Sequence, residues 1–429
     1  MTYRHMLITL ALATMLTTAA VAQDPFFPVG TETLINAETA AEQNDAEIAV
    51  RPDGFVVTWE SLGQDGSDDG VFFRLIDTNG MPVGDDFQVN TTTVGAQGDP
   101  DVATRSDGSF IIVWDSSGGQ DGAGRGVFGR LFDSSGVPVS GEIAINQDTL
   151  GDQNDGVVAV QQDGSFIVVW ESGVGDAAGY DIVGRLFNSA GAPETNDFQV
   201  NTHTPSDQED IAIGVDGNDG FVVVWESDDQ DFSYEAIAGQ RLASDGSLVG
   251  DEFQVNTYTA DRQANPGLAV NSVGGFVVVW EDYFQDILGV TTFGRVYDGS
   301  DNPVATTMTE FQVDMYPGTT QAYPQPAFTD DDTFVVVWES ENQDGSSYGI
   351  FRNTFDTAGN ALGTDTLVNT FTTGPQQEPK IAVGDDYALV VWADFGCCGD
   401  LYGQAFSLTT IFADGFESGD TSGWSSTSP

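Results

Sequence analysis

The chain of 429 residues carries 67 acidic residues against 12 lysines and arginines, a formal net charge of −55. A surface of that sign repels nucleic-acid phosphates and anionic lipid headgroups, so DNA, RNA and acidic membranes are excluded as partners; cations, neutral glycans and basic proteins remain. The only cysteines, Cys397 and Cys398, are adjacent and supply no disulfide framework, so the fold must be held by burial alone.

In chain order, residues 1–22 read as a secretory signal peptide. Arg4 and His5 precede an apolar run from Met6 to about Leu16, and Ala20-Val21-Ala22 is a small-x-small cleavage site. The run is too short to span a bilayer, so no transmembrane segment is expected after cleavage. The segment Glu32-Thr33-Leu34-Ile35-Asn36 then reads as a lone strand. Beyond Asn36 the chain is periodic. A strand ending on tryptophan recurs seven times, at Phe55–Trp59, Phe110–Trp114, Phe166–Trp170, Phe221–Trp225, Phe276–Trp280, Phe334–Trp338 and Ala388–Trp392. The tryptophans are 55, 56, 55, 55, 58 and 54 residues apart, which means one supersecondary unit used repeatedly.

Residues 156–201 serve as the type unit. A short apolar run, 156–160, meets an Asp163-Gly164 turn. The Trp strand, 165–171, is continuously apolar at its centre, as a strand buried on both faces should be. A polar loop, a third strand (181–188), a turn carrying Gly191 and Pro193, and a short fourth strand (197–201) complete it. Four hairpin-linked strands repeated radially make a β-propeller. The seventh unit, 380–407, lacks a fourth strand, and Glu32–Asn36 is the spare one. The expected fold is therefore all-β: a seven-bladed β-propeller of four-stranded antiparallel blades over residues 32–411, closed by an N-terminal strand. Residues 412–429 form a flexible C-terminal tail.

Two further features keep the period. Asn and Gln recur seven apart, as in Asn90 and Gln97 or Asn201 and Gln208, with Asp314 replacing Asn in the sixth case. They are expected to satisfy backbone groups between blades. Arg74, Arg130, Arg185, Arg241, Arg295 and Arg352 are read as one register of the third strand and as structural ion pairs.

The segments Val222–Ser227, Phe128–Asp133 and Glu252–Thr257 resemble tandem repeats of bacterial secreted and surface proteins. Such repeats often accompany calcium-binding, haemolysin-type or cadherin-like modules, and the resemblance implies no defined activity. Phe412–Asp420 resembles short C-terminal tails of exported Gram-negative proteins, which implies a sorting tag. Together with the signal this places the protein outside the cell or on the surface of a bacterium, the periplasm being the other compatible compartment.

Enzyme constellations are largely missing. His5 lies in the signal and His203 in a linker, so a Ser-His-Asp triad or a histidine-ligated zinc would rest on His203 alone. Among 67 acids the sequence singles out no glycosidase pair. The loops after the Trp strands carry Asp65, Asp121 and Asp344, oxygen donors suited to Ca²⁺, the one cofactor expected. The same residues also suit a tight turn. By strand parity these loops share a face with the inter-blade linkers. On that face, blades four to six add Phe232, Tyr234, Tyr258, Tyr283, Phe284, Tyr316, Tyr323 and Tyr348, candidate stacking residues for a glycan or protein ligand. The leading expectation is a non-enzymatic exported binding or adhesion propeller. A calcium-dependent structural surface module and a propeller glycosidase or lyase are the alternatives.

Overall fold

A computed structural model describes residues 26–408 apart from 174–178, 232–233, 286–288, 300–309, 317, 331–332 and 397–398. The signal segment, the tail, Phe232 and the cysteine pair lie outside the described residues. The protein is a seven-bladed β-propeller: seven four-stranded antiparallel sheets, six of them built from consecutive strands. Blade one covers 43–88, blade two 97–144, blade three 153–199, blade four 208–254, blade five 263–312 and blade six 321–367. No helix among the described residues is long and apolar enough to cross a membrane.

The seventh blade takes its outer strand from the other end of the chain. Strand β1 (Phe27–Leu34) pairs antiparallel with the last strand, β28 (Asp400–Ser407), inside the sheet that also holds residues 376–394. The strand lies a few residues before the expected 32–36. Asn36 has left the ladder and works as a cap: its side-chain amide donates to Asp400 Oδ1 at 2.9 Å and its oxygen accepts Leu401 N–H at 2.8 Å. The ring thus closes non-covalently, with β1 as the outermost strand of the seventh blade.

Each Trp strand is the second of its blade and is buried on both faces, with six of the seven tryptophans fully inaccessible. Apolar clusters join each blade to the next, and one of them, containing Val57, Trp59, Leu389 and Val391, joins the last blade to the first. The Asn–Gln period braces each blade from within and ties its end to the start of the next. Gln43, Gln153, Gln208 and Gln321 accept the indole N–H of Trp59, Trp170, Trp225 and Trp338 at 2.8–3.0 Å. Asn90 accepts Val71 N–H at 3.0 Å and donates to Gln97 at 2.8 Å. These side chains satisfy buried polar groups.

The arginines correct the expected picture in two ways. Arg74, Arg130, Arg185 and Arg295 share one register. Arg241 and Arg352 stand one place off it, where Gln240 and Asn353 hold the position. Moreover, the four in register bond chiefly to backbone. Each donates from Nη1 to a carbonyl just past the outer strand of the preceding blade, of Ile35, Val89, Ile145 or Val255, at 2.7–2.8 Å. Ion pairs are secondary, Arg74 with Asp86 at 3.7 Å and Arg185 with Asp197 at 3.6 Å. A planar guanidinium offers several donors and suits a carbonyl between blades.

Candidate functional site at the channel mouth

The innermost strand of every blade begins at the periodic glutamine and lines the central channel. Two residues past that glutamine the chain enters the left-handed region, at Asp45, Asp99, Asp155, Asp210, Asn265, Tyr323 and Glu378, with φ between 47° and 55°. The ladder shifts register at the same point in each blade: in blade one Asn44 faces Glu60 while Glu47 faces Thr58. This is a β-bulge, in which an extra residue re-aims the side chains around it. Asp and Asn tolerate this conformation, whereas Tyr and Glu adopt it at a cost, so Tyr323 and Glu378 mark strain held by their surroundings.

In blades three to six the glutamate after the tryptophan holds the bulge of the next blade. Glu171 accepts Asp210 N–H at 2.9 Å, Glu226 accepts Asn265 N–H at 3.3 Å, Glu281 accepts Tyr323 N–H at 2.9 Å and Glu339 accepts Glu378 N–H at 3.0 Å. These glutamates are buried, and burial pushes their carboxyls up, Glu171 to about 10, Glu226 to about 8 and Glu339 to about 7. Neighbouring acids add to the effect, Asp155 for Glu171 and Asp210 for Glu226.

Asp45, Asp99, Asp155, Asp210, Tyr323, Glu378 and Lys380 line a cavity of about 290 Å³ at the mouth of the channel. The bore below it, about 420 Å³, is lined by Glu47, Asp101 and Lys380 above Val102, Val158, Ile213 and Pro326. Lys380 is the only lysine of the chain and pairs with Glu47 across the junction of the last and first blades. Burial works to lower its pKa, but the Glu47 carboxylate prevails and raises it. Asp101 accepts Val158 N–H at 2.6 Å and Val102 N–H at 2.8 Å, yet burial and the charge of Glu47 push it up to about 7.

Of the described aromatic residues among those singled out in the sequence, Tyr323 alone lines this mouth, 42% exposed. Tyr283 is joined to it through Glu281, which accepts the Tyr283 hydroxyl at 3.3 Å on its other oxygen, and Arg262 lies 5.4 Å from the Tyr283 ring centre. Tyr258 and Tyr316 sit in linkers and Tyr348 opens the third strand of blade six. Tyr234 and Phe284 are well exposed on the outer rim, at 64% and 55%. Asp65, Asp121 and Asp344 stand in three different blades and are not brought together. Each closes its own loop, accepting the amide two residues on, of Ser67, Ala123 or Ser346, at 2.9–3.0 Å. Asp65 and Asp121 also face the inter-blade Asn90 and Asn146. The aspartates of the mouth escaped the sequence reading. Their signal was the constant spacing Gln43 to Asp45, Gln97 to Asp99, Gln153 to Asp155 and Gln208 to Asp210.

No family model and no curated protein matches the chain. Solved structures do. The polysaccharide lyase Uly1 superposes with a TM-score of 0.54 at 11% identity, over 90% of this chain and 97% of that one. A protein of unknown function from Dyadobacter fermentans gives 0.53 at 9%, over 90% and 100%. The α-L-arabinofuranosidase Arb93A from Fusarium graminearum gives 0.51 at 12%, over 73% and 93%. At such identities the likeness shows the propeller fold and nothing finer.

Proposed function

We propose that this protein is an exported glycan-binding propeller that takes its ligand at the acidic mouth of the central channel. The carrying observation is Tyr323: a half-exposed tyrosine whose backbone is fixed by a bulge and by Glu281, beside carboxylates and lining a cavity. A rigid ring offers an apolar face to a sugar, and carboxylates accept its hydroxyls; one apolar face with a few convergent polar groups is the usual make-up of a small-ligand site. The shared fold with proteins named as a polysaccharide lyase and an arabinofuranosidase supports a carbohydrate ligand in kind. The test is an array of oligosaccharides probed with the mature chain: saturable binding of one class supports the reading, and binding to none contradicts it. Export rests on residues 1–22 and is checked by N-terminal sequencing, which should start at Gln23.

A second reading, glycan cleavage, is favoured by the pair of carboxylates Glu47 and Asp101 that share the bore with Lys380. Two carboxyls flanking a cavity can serve as acid and base. Release of shorter fragments from the bound glycan, lost in Asp101→Asn, would support cleavage; a ligand recovered intact leaves binding as the function.

A further inference from the structure

The seven blades are internal controls on one another: a side chain that only one blade carries is not one the blade fold requires. Around Glu281 of blade five three such departures meet. The third residue past the tryptophan is Leu62, Ser117, Gly173 and Asp228 in blades one to four, and Tyr283 in blade five. No other blade has a basic residue directly before its periodic glutamine, where blade five has Arg262. The bulge residue is an acid in five blades and Asn265 in one, whereas blade six holds Tyr323 there at a φ of 51°.

One buried carboxylate gathers them. Glu281, 2% exposed, accepts the Tyr323 amide at 2.9 Å on Oε1 and the Tyr283 hydroxyl at 3.3 Å on Oε2. The Arg262 guanidinium lies 5.4 Å from the centre of the partly exposed Tyr283 ring. Tyr323 belongs to the innermost strand and Tyr283 ends the second strand of its blade, so the pair steps outward from the channel mouth by one strand. A glycan seated at Tyr323 and continuing outward meets Tyr283 and Arg262 next. The ring offers an apolar face, and the guanidinium, 40% exposed, offers N–H donors that the carboxylates of the mouth lack. Arg262 already answers Glu226 at 3.0 Å and Glu235 at 3.4 Å, so it brings no spare charge. The carboxylates of Asp45, Asp99, Asp155, Asp210 and Glu378 around the mouth oppose an anionic sugar, and the one lysine there is paired with Glu47.

Resting on the reading of the mouth as a glycan site, we propose that its ligand is an uncharged oligosaccharide of at least two residues, one seated at Tyr323 and the next on a subsite made by Tyr283 and Arg262. The experiment is calorimetric titration of arabinose, xylose and glucose, and of their linear oligomers of two to four residues, into the parent and Tyr283→Ser. In the series that binds, affinity should rise about tenfold or more from one residue to two, the scale of one aromatic contact. Tyr283→Ser copies Ser117 of blade two. It should melt with the parent, erase that gain and hold the monosaccharide within about threefold. Tyr283→Leu, after Leu62, carries the same test should the serine variant fail to fold. Tyr283→Phe keeps the ring and should keep most of the gain, and oligogalacturonides should not bind the parent. Equal affinity for one residue and two, a Tyr283→Ser loss that falls equally on monosaccharide and dimer, or tighter binding of oligogalacturonides would each overturn the proposal and leave a glycan site at Tyr323 in place. Binding of none of these sugars would count against the glycan reading itself, and the proposal would fall with it.

Discussion

Removal of the N-terminal strand is the most severe single perturbation the architecture defines. Deleting residues 23–36 from the mature chain strips β1 from β28 and leaves an open edge on the seventh blade. It also removes Phe26 and Ile35, 3% and 0% exposed, from the clusters on either side of that blade. Two such side chains contribute about 3–6 kcal/mol by burial, an upper range because the unfolded chain is itself partly compact. The two bonds of the Asn36 side chain add roughly 1 kcal/mol each. The total approaches the ~5–15 kcal/mol that holds a typical protein folded. The truncated chain should therefore be largely unfolded or melt far below the parent, by differential scanning calorimetry. Ile35→Ala alone should cost about 2–5 kcal/mol. A synthetic peptide of residues 23–38 should restore the Tm of the truncated chain in proportion to its concentration. A truncated chain that melts with the parent would refute non-covalent closure through this strand.

Gln208→Ala leaves the buried Trp225 indole N–H without its acceptor and should cost about 1–3 kcal/mol in urea unfolding with an unchanged m-value; a neutral effect would mean the periodic glutamine is not a structural partner. Stability should also fall as pH rises. Glu171, Glu226 and Glu339 hold their protons in the folded chain up to about 10, 8 and 7, whereas unfolded carboxyls release them near 4.5. The folded state then binds more protons through that window, so its stability is full below about 4.5 and declines toward the raised values. In chelator, Tm near pH 5.5 should exceed Tm near pH 8.5, by roughly one degree per kcal/mol for a chain of this length; the opposite order would contradict the buried-carboxyl account.

Much of the fold was legible because its determinants are local and repeated. Seven Phe-to-Trp strands, Asp-Gly turns and the Asn–Gln spacing each recur in every unit or nearly so, and a missing fourth strand in the last unit pointed to the spare one near the N-terminus. At Arg241 and Arg352 the reading slipped by one residue, because extra residues between strands shift the ladder without altering the local pattern. The mouth of the channel was harder to see. Period-two alternation gives no hint that Asp45, Asp99 and Tyr323 turn inward, since the bulge resets the alternation there. Tyr323 was recognised as a loop aromatic and proved to lie on the innermost strand of blade six, Gln321–Phe328. The loop aspartates Asp65, Asp121 and Asp344 drew attention by their composition. The aspartates of the mouth are made conspicuous only by convergence around one axis, which no single repeat encodes.

The central claim is that ligand is held at the channel mouth and not on the outer rim. It is tested most directly by calorimetric titration of one oligosaccharide, chosen from the array, into the parent, Tyr323→Ala and the rim variant Tyr234→Ala/Phe284→Ala. Loss of a buried aromatic anchor costs about 2 kcal/mol or more, some thirtyfold in Kd. Tyr323→Ala should show that loss with an unchanged Tm, while the rim variant stays within about threefold of the parent. Parental affinity in Tyr323→Ala, with binding lost in the rim variant, would contradict the account.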